Sequence, residues 1–144
     1  MRTAAPSTLE AMSTLNLETA TRLLAAGQEA AAEIGVPMSI TIVDTAGSLI
    51  AFQRMDGGWL GSVDLSQRKA KTSALFPMPS SVLGEMSQPG GPIYGVENSN
   101  GGLVTFGGGL PLATADGTVL GAVGVSGGLV DQDVAVAEAV AKAL

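Results

Sequence analysis

Lys69 is the charge whose setting in this sequence invites chemistry. On a helix it shares a face with Leu65, Thr72 and Phe76, so its ammonium sits on a semi-apolar side. Arg68 instead falls with Asp64 and Lys71, where it can pair in solvent. A lysine held in apolar surroundings has a lowered pKa and can act as base, acid, imine former or anion anchor. The plainer reading is a snorkelling lysine, with its stem on Leu65 and its head in water. Further on, Tyr94, Glu97, Asn98 and Asn100 bring a phenol, a carboxylate and two amides into one glycine-rich stretch. Glu97 beside Lys69 would form an acid/base couple, with Tyr94 as a second proton carrier. Asn98, Asn100 and loop amides would then hold an oxyanion. Against this, Tyr94 can be a core plug and the asparagines can stabilise turns.

Other candidates are binding groups. Arg54 alternates with Ile50 and Phe52 on an inward-looking row and could grip a carboxylate bidentately; pairing with Asp56 or Asp64 is the commoner fate. In "LGAVGVSGG" one strand face carries Ala122, Gly124 and Ser126, almost without side chains. Such a face leaves room for another backbone, a flat ligand or a neighbouring subunit. Gly108, within Gly107-Gly108-Gly109, lies between two strand patterns where a bulge or chain crossing is expected. These glycines lack both GxxxxGK[ST] and a GxGxxG at a strand-to-helix turn, so they form no known phosphate cradle.

The elements that must position these residues follow from hydrophobic period. A helix is predicted from Asn16, with Ala20, Leu23, Leu24, Gly27, Ala31 and Ile34 on one face, stopped by Gly35 and Pro37. Met38–Val43 and Leu49–Arg54 alternate as an antiparallel hairpin around Asp44-Thr45-Ala46-Gly47. A helix is predicted from Ser62 to about Phe76, then a short one capped by Ser80 or Ser81. Residues 84–102 read as a long loop, of the kind that is usually functional. Leu103–Phe106, Leu110–Ala113 and Thr118–Ser126 read as strands, and Asp131 as the cap of a closing helix with Val134, Ala137, Ala141 and Leu144 on one side. Residues 1–15 are expected to be a flexible arm and residues 16–144 one domain. The sum is an α+β fold with five strands in a mainly antiparallel sheet flanked by helices.

Composition excludes several classes. The net charge of −6 argues against a nucleic-acid footprint. With no cysteine and no histidine, disulfides, thiolate nucleophiles, serine–histidine triads and imidazole metal ligation are impossible, and no metal site is expected. No apolar run reaches membrane-span length and the first residues lack a signal-like apolar stretch, so a cytoplasmic location is expected. Only 14% of residues are charged, which suggests surface buried against further copies of the chain.

"MSITIVDTAGSLIAFQRMDG", "KAKTSALF", "QPGGPIYGVENSNGG", "FGGGLPL", "GAVGVSGG" and the Asp131-Gln132-Asp133 run occur in that order. Together they resemble the GlcG/HbpS-like family, which includes the carboxy-terminal domain of PduO-type adenosyltransferases. The resemblance implies a profilin-like fold and a homo-oligomer between tetramer and octamer. It also implies a small-molecule ligand, with haem or another tetrapyrrole foremost. Haem iron would have to do without histidine or cysteine, leaving Tyr94, a methionine or neutral Lys69 as axial candidates. The alternative is a small cofactor-independent enzyme for isomerisation, hydration or lactone chemistry, using Lys69 and the Tyr94–Asn100 loop.

Overall fold

The structure is a computed structural model and describes residues 15–144. The expected arm lies outside the described residues except for Leu15, which packs against the main core. Helix α1 (Leu17–Glu33) begins where Asn16 Oδ1 accepts the Thr19 N–H at 2.8 Å. Its buried stripe is Ala20, Leu23, Leu24, Gly27 and Ala31. Strands β1 (Ser39–Val43) and β2 (Leu49–Arg54) form the predicted hairpin. Asp44 is spent on its turn, accepting from the N–H groups of Ala46 and Ser48 at 2.9 Å each. Helices α2 (Gly61–Leu75) and α3 (Ser80–Met86) follow, then a single 3-10 turn at Val96–Asn98. Strands β3 (Gly109–Ala113) and β4 (Val119–Ser126) and helix α4 (Val130–Lys142) complete the chain.

Apart from the cap of α3, which is Pro79 rather than Ser80 or Ser81, two expectations need correction. Among the described residues the sheet has four strands, in the order β2-β1-β4-β3, all neighbours antiparallel, rather than five. Leu103–Phe106 alternates like a strand but spends its polar backbone on helix side chains. The Val104 N–H donates to Thr72 Oγ1 at 3.2 Å, and its carbonyl accepts from the same hydroxyl at 2.9 Å. The Phe106 carbonyl accepts from Ser80 Oγ at 2.8 Å. A backbone satisfied in this way has no need of a ladder. Helix α4, secondly, is not capped by Asp131, which lies inside its first turn. Its entry is held by the Gln132 side chain, whose Oε1 accepts the Leu129 N–H at 2.9 Å. The buried face is Asp133, Val136, Ala137 and Val140, rotated from the predicted one.

Helices α1 and α4 cover one face of the sheet and α2 the other. The α1/α4 side holds the main core, including Leu23, Met38, Ile40, Ile42, Leu112, Val123, Val125 and Val140. Each large aliphatic side chain buried there contributes about 1.5–3 kcal/mol. The α2 side explains the bare face of β4. A Cβ placed on Gly124 would lie 1.9 Å from the Ser66 carbonyl oxygen and 2.5 Å from the Ala70 nitrogen. The space left by glycine is filled by the backbone of α2.

Candidate functional site

Lys69 is fully buried, with a relative exposure of 0%. From the middle of α2 its Nζ donates to the Val125 carbonyl at 2.9 Å and to Asp133 Oδ2 at 2.8 Å. The Phe106 ring lies over it, with the centroid 5.0 Å from Nζ. Asp133 turns its second oxygen to the Gly128 N–H at 2.9 Å. The ammonium is thus enclosed, with two hydrogen bonds made and an aromatic ring over it. Burial lowers the Lys69 pKa from its ordinary 10.5, while the hydrogen bond and charge of Asp133 pull the other way. The pair ties α2, the end of β4 and the start of α4 together.

The carboxylate that meets Lys69 is thus Asp133, not Glu97. Glu97 is half-buried, and its carbonyl accepts the Leu103 N–H at 2.8 Å. Tyr94 is neither a core plug nor a partner of Lys69, being 67% exposed. Asn98 and Asn100 are exposed, and the Asn100 amide donates to Ser99 Oγ at 3.0 Å. Arg54 is exposed at the end of edge strand β2 and makes no ion pair among the described residues, since Asp64 pairs with Arg68 at 2.8 Å. Gly108, Gly124 and Ser126 offer no open room. A Cβ at Gly108 would meet Lys69 Nζ at 2.8 Å, α2 lies on Gly124, and Ser126 Oγ is bonded to Ser62 Oγ at 3.2 Å.

Among the described residues, two surface clefts are large enough for a small ligand. One, of about 250 Å³, is polar and runs beside α2 past Arg68 and Lys71. The other, of about 310 Å³, is mainly apolar, with Val36, Pro37, Trp59 and Leu129 as walls and Gly57, Gly127 and Gly128 between them. Trp59 is 70% and Leu129 69% exposed, so each turns most of its apolar surface to water. Sequence reasoning passed over both. Trp59 and Leu129 stand alone in turn-like sequence, and nothing local shows that β4 and α1 end beside each other.

The apolar cleft suits the face or edge of a flat apolar molecule. It does not suit a haem iron that needs a strong axial ligand. Its polar side chain, Gln132, already accepts from Leu129, and the sequence has no histidine or cysteine to offer. Met55, nearby in sequence, has its sulfur engaged by the Met38 N–H at 3.4 Å.

Fold and cleft together define a compact α+β domain with a tight core and a ligand-sized apolar seat at its surface. The chain belongs to the family described as "Haem degrading protein HbpS-like", which matches residues 15–142. It is 39% identical to a 15.0 kDa protein of the dhaT-dhaS intergenic region of Citrobacter freundii, over 88% of this chain and 89% of that one. The crystal structure of Klebsiella pneumoniae protein ORFY superposes with a TM-score of 0.87 at 33% identity, covering 99% of this chain and 95% of that one. The crystal structure of a PduOC:Heme complex superposes with a TM-score of 0.84 at 34% identity, covering 91% and 95%. Among the described residues no helix is long and apolar enough to cross a membrane.

Proposed function

We propose that this chain is a small-molecule-binding protein that takes haem, or a related flat tetrapyrrole, on its apolar cleft, and that copies of it assemble into a tetramer to octamer. The observation that carries the reading is that Trp59 and Leu129 both line the apolar recess and are both turned to water. A recess of about 310 Å³ would take one edge of such a ligand, and the indole and Leu129 would cover more of its face. Apolar burial at about 25 cal/mol per Å² supplies the attraction without any bond to iron. A relative of similar fold was crystallised as a haem complex, which supports the choice of ligand. Assembly is supported by the further exposed apolar residues Leu17, Leu60 and Val130. The catalytic alternative gains nothing from the geometry, because Lys69 is enclosed and Tyr94 points elsewhere.

Haemin titration of the pure protein, followed by absorbance in the Soret region, tests the reading. A saturable shift at one haemin per chain is expected, with affinity about tenfold weaker in Trp59→Ala, of the order of losing one buried aromatic contact. A response no larger than that of an unrelated acidic protein, or one unchanged in Trp59→Ala, rejects the site. Light scattering of the same samples gives the assembly size, and a monomeric mass rejects the oligomer.

A further inference from the structure

The polar cleft is built by one stripe of α2 under two walls. Asp64, Gln67, Arg68 and Lys71 recur at helical spacing and face away from the buried Ser62, Ser66, Lys69 and Ser73. A charged stripe of this kind is ordinarily a solvated helix face, but here the chain is folded over it. The β1–β2 turn closes one side, where a Cβ on Gly47 would lie 3.2 Å from Lys71 Cγ. The Asn100–Gly102 loop closes the other.

That loop has three consecutive residues at positive φ: Asn100 at 52°, Gly101 at 75° and Gly102 at 106°. For Asn100 the left-handed conformation costs on the order of 1 kcal/mol. In return the loop carbonyls turn onto the cations. Arg68 Nη1 donates to the Gly101 oxygen at 2.9 Å and the Gly102 oxygen at 3.1 Å, and its Nε to Asp64 at 2.8 Å. Lys71 Nζ donates to the Asn100 oxygen. Both long side chains are thereby held in place, so a ligand need not order them.

Their donor capacity is not used up. Among the described residues Arg68 Nη2 has no partner, and an ammonium carries more donors than the single bond that Lys71 makes. Carbonyls are dipoles and leave the formal charge in place, so two cations face one carboxylate, Asp64. This is a positive spot in a chain of net charge −6. The surrounding negative field disfavours large polyanions, and about 250 Å³ admits only a compact guest.

We propose that this cleft is a second ligand site, separate from the apolar seat, which binds a small oxyanion, a short carboxylate or inorganic phosphate, between Arg68 Nη2 and Lys71 Nζ. The amide of Gln67 lies on the same stripe and supplies a further donor. The site orders an anion; it requires no bond to form or break.

Nuclear magnetic resonance titration with sodium malonate and, separately, sodium phosphate tests this, each against sodium chloride at equal ionic strength. Saturable amide shifts at Gln67, Gly101 and Gly102 are expected with at least one of the two. Malonate alone, phosphate alone or both would define the class of oxyanion. Lys71→Gln should weaken binding about tenfold or more, as expected for one lost charge-assisted hydrogen bond. Arg68→Lys, which keeps the charge and removes the fork, should weaken it as well and gives the answer if Lys71→Gln fails to fold. Shifts that track ionic strength alone, or an affinity in both variants equal to that of the unaltered chain, overturn the site. Neither result bears on haemin binding at Trp59.

Discussion

On one face of the sheet Ile40, Ile42, Val123 and Val125 meet the aliphatic stripes of α1 and α4, whereas on the other Ser39, Thr41, Ala122, Gly124 and Ser126 meet Ser62, Ser66, Lys69, Ala70, Thr72 and Ser73 of α2. Both faces are buried, but by different means. The aliphatic face gains from area removed from water, a force that does not depend on direction. The α2 face has little apolar area to bury. It gains from a very close helix, hydroxyl pairs and one enclosed ion pair, all of which depend on geometry. Among the described residues the Ser39 and Ser73 hydroxyls reach no partner, a sign of how tightly this layer is drawn. Errors of a few tenths of an ångström should therefore matter more on the α2 face.

The largest effect should come from Lys69→Met. It leaves the Asp133 carboxylate enclosed with only the Gly128 N–H for company, at a cost of about 3–5 kcal/mol in urea unfolding. Lys69→Met with Asp133→Asn keeps an acceptor for Gly128 and removes the stranded charge, so most of the loss should return. If the double variant is as unstable as the single, the pair is not what holds α2 to α4. Burial also sets a pH signature. The folded pKa of Lys69 lies below the ordinary 10.5, so between the two values the unfolded chain binds more protons and stability rises with pH. This contribution is fully present above 10.5 and is lost as pH falls through the folded value. Relative to wild type, Lys69→Met should flatten that slope.

Next is a matched pair of substitutions, one on each face. Gly124→Val puts a branched side chain where a Cβ alone would lie 1.9 Å from the Ser66 oxygen, and should cost about 3 kcal/mol by pushing α2 off the sheet. Ile40→Val on the aliphatic face should cost about 0.5–1.5 kcal/mol, since only one methylene is lost. Equal losses in denaturant midpoint would refute the contrast between the faces.

Much of the aliphatic face could be read directly from the sequence, because period 3.6 in α1 and period 2 in the hairpin report burial residue by residue. The α2 face could not. Its small residues carry no hydropathy signal, and Gly124 reads equally as room for a ligand or for a backbone. Lys69 is visible as a cation on a semi-apolar stripe, but the acid that the sequence offers nearby, Glu97 in the polar loop, is not its partner. Asp133 lies far along the chain, and the signal for it was of the same kind: an acid in register with Val136, Ala137 and Val140 on a buried helix face. Two charges each stranded on an apolar stripe call for one another. Leu103–Phe106 misled for the converse reason, since alternation reports side-chain direction and says nothing of where the backbone hydrogen bonds go.

The smallest effect examines the hydroxyl layer itself. Thr41 Oγ1 and Ser66 Oγ lie 2.9 Å apart in the buried seam, and Ser66 Oγ also reaches the Val63 carbonyl at 3.0 Å. The two partners are therefore unequal. Thr41→Val removes the bond but leaves Ser66 its fallback at Val63, a loss of about 1 kcal/mol. Ser66→Ala leaves the Thr41 hydroxyl enclosed without its partner, which should cost nearer 2 kcal/mol, since stranding a buried polar group exceeds the net worth of its bond. With both changes the seam becomes apolar and the sum should fall short of additive by about 1 kcal/mol. A Thr41→Val loss equal to or above that of Ser66→Ala would mean that methyl packing, not hydroxyl pairing, holds the α2 face, and that the two faces differ in residue type but not in kind.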